Sequence, residues 1–177
     1  MRPTLLLSSL LLLVACGSGP EADNAAPGAA PGAATSSAAE GADPVAALRA
    51  HTAEFMARPE HDADRVQVRH LLVSFGGTGT SATRSRAEAE TLAAELYGRA
   101  VAGEDFAALV KAHSDDSPDG VYTMVQSGGR RPTTWNRHEM VPAFGDAGWR
   151  LQPGELGVVA FDPVASPFGW HLVQRLE

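Results

Sequence analysis

The order of patterns along the chain predicts an α+β fold: one strand, two helices, a short strand, a short third helix, then two strands near the end. Three observations carry this expectation. Apolar residues alternate from Val66 to Leu72 with the period of a half-buried strand. They recur at helical spacing from Ala89 to Ala100. Two closing apolar runs, residues 156–162 and 168–176, are separated by a Pro- and Ser-containing turn, which makes them antiparallel neighbours. The helices are expected on one face of a small antiparallel sheet.

Each element has its own local cause. In residues 44–58, Val45, Leu48, Thr52, Phe55 and Met56 fall near helical spacing, with Asp43 as N-cap, Pro44 at N1 and Pro59 as the stop. The domain proper opens near Arg65, where Val66, Val68, His70 and Leu72 alternate with Gln67, Arg69 and Leu71. The loop over 76–83 is glycine-rich but lacks the Gly-Lys-Ser/Thr of a phosphate loop, so no nucleotide is expected there. Residues 84–102 form a helix through Ala89, Leu92, Ala93, Leu96, Tyr97 and Ala100, and Gly103 stops it. A second helix over 104–113, with acids in its first turn, buries Phe106, Leu109 and Val110. Residues 114–120 are a turn cluster, 121–126 a short strand, 127–139 an arginine-bearing loop, 140–151 a short helix and 152–155 a turn.

Ahead of this lies a different kind of sequence. Arg2 followed by apolar residues 5–14 reads as a leader too short to cross a bilayer as a mature helix. It ends in Leu13-Val14-Ala15-Cys16-Gly17, which resembles the bacterial lipobox, so residues 1–15 are expected to be a lipoprotein signal peptide and Cys16 the lipidated residue. The other reading is an ordinary leader with a chance cysteine. Cys16 is the only cysteine, which excludes a disulfide framework. Acyl chains there would hold the protein at a membrane, at about 0.8 kcal/mol per buried methylene. Gly17 rather than aspartate after the cysteine favours the outer over the inner membrane, on the periplasmic face of the cell envelope. Residues 16–43, rich in Ala, Gly, Pro and Ser, read as a tether spanning on the order of 30 Å. Residues 44–64 are then a helix and connector, and 65–177 the folded domain. The net charge of −7 is mixed along the chain rather than blocked, which argues against a nucleic-acid partner. His61-Asp62-Ala63-Asp64 lacks metal-ligand spacing, and His113-Ser114-Asp115 is mere adjacency, since catalytic triads assemble in space. No metal or cofactor is expected.

The two histidines that each precede an apolar run, His70 before Leu71-Leu72-Val73 and His171 before Leu172-Val173, frame five ordered segments. These are His70-Leu-Leu-Val; Asp105-Phe106 through Ser114-Asp115-Asp116; Met140-Val-Pro-Ala-Phe144; Leu151-Gln-Pro-Gly154-Glu155-Leu156; and Phe168-Gly169-Trp-His171-Leu-Val. In that order and spacing the chain from Arg65 onward resembles the parvulin family of peptidyl-prolyl cis/trans isomerases.

The resemblance implies a four-stranded antiparallel sheet covered by three to four helices, with the first and last strands side by side at its centre. His70 and His171 would then meet beneath a substrate pocket, as a catalytic pair or as two satisfied core histidines; both readings stay open. It implies that Met140 and Phe144, on one helical face, wall the proline ring. Asp116 would lie near the rotating carbonyl, with Asp115 satisfying the turn, and Ser166 would bond to the histidine pair. Departures from the family pattern lie between 118 and 139. There Met124 is the candidate for closing the pocket, and Phe168 is expected to narrow its rim. The loop over 74–83 lacks the basic cluster of phosphate-reading parvulins, and Arg130, Arg131 and Arg137 read as solvated loop charge. The expected partners are unfolded or proline-containing polypeptides, bound by a monomer. The alternative function is a parvulin-shaped module, weak or inactive in catalysis, that binds extended chains.

Overall fold

The computed structural model describes residues 43–177. The leader, Cys16 and nearly all of the tether lie outside the described residues. Asp43 caps the first helix, α1 (Pro44–Met56), by accepting the Val45 N–H at 3.0 Å, with Pro44 in the first turn. Strand β1 (Arg65–Val73) follows. Helix α2 (Arg86–Val101) starts at a capping box in which Ser85 and Glu88 satisfy each other's backbone N–H groups. Helix α3 (Phe106–His113) is capped by Asp105, so the acids expected in its first turn stand at and before the cap instead.

Strand β2 (Val121–Val125) leads to a two-residue strand β3 (Trp135–Asn136), a 3-10 turn (Arg137–Glu139) and helix α4 (Pro142–Arg150). Strands β4 (Leu156–Val159) and β5 (Trp170–Arg175) close the fold. Helix α4 starts at Pro142 rather than at 140, because a proline favours the first turn and restrains the residue before it from helical geometry.

The sheet order is β3-β2-β1-β5-β4. Four strands pair antiparallel with β1 and β5 adjacent at the centre, as expected, but β3 adds a fifth, parallel to β2. A two-residue strand has no alternation to read, so in sequence it is indistinguishable from the loop around it.

The placement of the helices also differs from expectation, because both faces of the sheet are covered. On one face Leu71, Val73, Val158, Trp170 and Leu172 pack against α2 and α3. On the other, Val66, Val68, Met124, Val159 and Val173 pack against Phe144, Ala147 and Trp149 of α4. Helix α1 joins the two cores around the β4 edge: Leu48 belongs to the first and Phe55 to the second. Gly157 is what lets it approach, since a Cβ there would lie 2.7 Å from the Phe55 ring.

This packing makes α1 part of the folded unit rather than a leader to it. Phe55→Ala would leave a cavity at a fully buried site, and we expect it to destabilise the chain by about 3–4 kcal/mol, read from the denaturant midpoint at unchanged slope.

Candidate active site

Register decides the site. In the β1–β5 ladder Leu72 faces His171 and His70 faces Val173. Facing residues share a side of the sheet, so both imidazoles project to the α4 side as diagonal neighbours. Two glycines protect this arrangement. A Cβ on Gly169 (φ +139°) would lie 2.2 Å from the Val73 carbonyl, and one on Gly120 (φ +60°) would lie 2.3 Å from that of His70. At both positions the backbone presses against a β1 carbonyl too closely for a side chain.

The rings lie 4.8 Å apart at 16°, with 2.8 Å between His171 Nδ1 and His70 Nε2. Both residues are buried. On the pocket side, Tyr122 donates its hydroxyl to Asp116 Oδ2 at 2.6 Å, and the same oxygen lies 3.4 Å from His70 Nδ1. That second contact is long for a hydrogen bond and is best described as a close ion–dipole approach.

His70 Nδ1 and then Tyr122, working against burial, hold the Asp116 carboxyl far below the usual range, so it is ionised and can only accept. A proton on His70 Nδ1 faces that carboxylate, and with Nε2 bare His70 accepts from His171 Nδ1–H; this is the tautomer assigned to the pair. His171 Nε2 is then a bare lone pair, in keeping with its burial without a partner. The proton order runs one way from Tyr122 through Asp116 and His70 to His171. Burial, and next the neighbouring His70, push the His171 pKa well down, so that ring stays neutral. Burial, reinforced by Asp116, holds the Tyr122 phenol well above its usual range.

Over the histidines opens a largely apolar cavity of about 240 Å³. The Phe144 ring lies 4.5 Å from His70 and 5.6 Å from His171, and Tyr122 stands edge-on to it at 5.5 Å. His70, His171, Asp116, Met140, Phe144 and Phe168 therefore converge on one concavity.

Met140 reaches it from the residue after the 3-10 turn, not from a helical face shared with Phe144. Phe168, at 40% exposure, sits at the rim. Two candidates fall elsewhere. Met124 is fully buried against Val66, Val68 and Gly148 under α4, and does not line the cavity. Ser166 is buried and donates to the Gly169 carbonyl at 3.0 Å rather than to a histidine, which fixes the β4–β5 turn.

Sequence reasoning missed Tyr122, which takes the wall position assigned to Met124. The signal was available, because Tyr122 lies two residues away on the same strand face, opposite Val68 and diagonal to His70. Asp115 does more than satisfy its turn. It accepts the Ser74 N–H at 2.8 Å and pairs with Arg84, tying the loop after β1 to the pocket edge. Of the arginines read as solvated, Arg137 is instead buried over Trp149 and paired with Glu60 and Asp146. Among the described residues no His/Cys/Asp/Glu cluster could hold a metal ion.

A buried neutral histidine makes stability fall on acidification, because below about pH 6.5 the unfolded chain takes up a proton that the folded chain refuses. His171 contributes this loss from about pH 6.5 downward until its depressed folded pKa is reached, with a slope of at most about 1.4 kcal/mol per pH unit. His51, lowered chiefly by burial, adds to the same slope. Urea titrations between pH 7.5 and 5 should show a shallower acid slope for His171→Gln than for the wild type.

The chain is similar to known proteins in sequence and in fold. A family model described as PPIC-type PPIASE domain matches residues 55–177. The chain is 38% identical over 109 residues to a Chaperone SurA of Chromohalobacter salexigens, covering 61% of this chain and 21% of that protein. It is also 38% identical over 114 residues to the Chaperone SurA of Pseudomonas aeruginosa, covering 64% and 24%. It thus spans between a fifth and a quarter of these curated relatives. Among solved structures, peptidyl-prolyl isomerase ESS1 from Candida albicans aligns with a TM-score of 0.51 at 22% identity, covering 73% of this chain and 75% of that one. The solution structure of TbPIN1 aligns with a TM-score of 0.50 at 21% identity, covering 65% and 99%. With a family model spanning most of its length and its two histidines joined beneath an apolar slot, this chain belongs to the PPIC-type, or parvulin, PPIase domain family.

Proposed function

We propose that the chain catalyses cis/trans isomerisation of prolyl bonds in unfolded polypeptides, and that Cys16 carries a lipid anchor holding the domain at the cell envelope. The observation that supports the reaction best is the cavity itself: an apolar slot floored by the joined His70–His171 pair, with the Asp116 carboxylate at its edge.

Prolyl rotation needs neither nucleophile nor cofactor. Its barrier of about 18–20 kcal/mol is amide resonance, and a catalyst must favour the twisted amide over both planar forms. Phe144 and Met140 would grip the pyrrolidine ring and take its bond out of water, where the planar amide is best solvated. The carbonyl before the proline then swings across a face that carries Asp116 and Tyr122. An ionised carboxylate there disfavours the charge separation of the planar amide, and the fixed tautomers below it need no rearrangement as the bond turns. In this reading His70, His171 and Asp116 shape the field, and no proton is transferred.

The leader over residues 1–15 and the tether over 16–43 complete the proposal: a domain held off a membrane surface among secreted or envelope proteins still folding. The second reading, a chaperone module that binds extended chains without accelerating them, is favoured by the departure over residues 118–139 and by the chaperone name of the curated relatives.

The rate decides between the two. In a protease-coupled assay on a proline-containing tetrapeptide, we expect wild-type acceleration that falls at least about tenfold for Phe144→Ala, with a smaller loss for Met140→Ala. Client binding with no rate above background would establish the module instead.

A further inference from the structure

Resting on that reading, we propose that the pocket selects segments with an arginine or lysine directly beside the proline and disfavours acidic or phosphorylated neighbours. The charged residues on its lining are both carboxylates, Asp115 and Asp116, and they differ in availability. Asp115, 14% exposed, is taken up by Arg84 and the Ser74 N–H, so that pair is neutral in sum. Asp116, 39% exposed, has only the Tyr122 hydroxyl and the ring of His70 against it, and no arginine or lysine pairs with it among the described residues. The cavity therefore carries one carboxylate with no arginine or lysine against it, set in a largely apolar lining.

The surroundings repeat the sign. Asp119 stands on the same turn as Asp116, and the loop over 76–83 carries no lysine or arginine. Of the two arginines that follow that loop, Arg84 is held by Asp115, and Arg86 lies over the Phe161 ring at 4.7 Å. A phosphate or carboxylate beside the proline would meet Asp116 with no arginine or lysine on the cavity lining to receive it.

The rim also suits the other half of a basic side chain. Phe168 leaves 40% of its surface exposed at the mouth, and Leu72 lines the wall. The aliphatic stem of lysine or arginine can lie along such a surface, and a guanidinium can stack on the ring, while the cationic head faces a carboxylate. Hydrophobic contact and charge thus point to one class of neighbour. A neutral apolar residue gains only the first, and a glutamate loses the second.

Affinity tests this without requiring turnover, so its failure is separable from failure of the isomerase reading. The chain, labelled with 15N, is titrated with Ala-X-Pro-Phe tetrapeptides in which X is Arg, Leu or Glu. At low salt we expect Arg to bind about tenfold tighter than Glu, with Leu between them. That ratio should fall below about twofold in Asp116→Asn, and likewise in the wild type at about 0.5 M salt. Equal affinities for the Arg and Glu peptides, tighter binding of Glu, or an Arg preference that survives both Asp116→Asn and high salt would overturn the proposal.

Discussion

The pairing of β1 with β5 is the constraint on which everything else rests. Leu72 opposite His171 and His70 opposite Val173 place two imidazoles on one side of the sheet, close enough to share a hydrogen bond. A slip of one residue would send one histidine to the α2–α3 side and leave its partner buried and unpaired. The fold guards the register on both flanks. Gly169 lets the turn before β5 press against the end of β1, and Gly120 lets β2 begin against the His70 carbonyl. Ser74, buried at the end of β1, donates to the Phe168 carbonyl at 2.6 Å and so ties the pocket rim to the same register.

From that register the electrostatics follow. The buried histidine pair shares one hydrogen bond, and the ordering of its protons comes from the single ionised neighbour. Asp116 stays ionised because His70 and Tyr122 favour its charged form, and its charge in turn decides which nitrogen of His70 is protonated. The chain ends at His171 Nε2, where a lone pair without a partner costs less than a buried N–H would. The result is a buried floor with one negative charge at its edge. That environment suits rotation about an amide bond, where the substrate's dipole changes while no covalent bond is made or broken.

Much of this was legible in the residues, and what escaped has physical reasons. The alternation from Val66 to Leu72 and the helical spacing in α2 are long enough to carry a period, and both elements lie where the pattern puts them. The two-residue β3 has no period. Coverage of both sheet faces is a tertiary matter: α4 is short, and the strand pattern does not announce which helix meets which side.

Within the site, His70, His171, Asp116 and Phe144 could be read because ordered motifs frame them. Met124 was misassigned because the departure over 118–139 removes the frame, leaving two apolar candidates on one strand face, of which Tyr122 lines the pocket and Met124 packs under α4. Ser166 shows the limit of carrying a hydroxyl across by position alone, since its bond goes to the nearest free carbonyl.

The most direct test of the account is a nuclear magnetic resonance measurement on the chain labelled with 15N-histidine. Near neutral pH, the account predicts that both His70 and His171 carry their proton on Nδ1, with a scalar coupling across the hydrogen bond from His171 Nδ1 to His70 Nε2 and an unprotonated His171 Nε2. Protons on the Nε2 atoms, or a His171 ring that titrates as a free imidazole with no coupling to its neighbour, would contradict it.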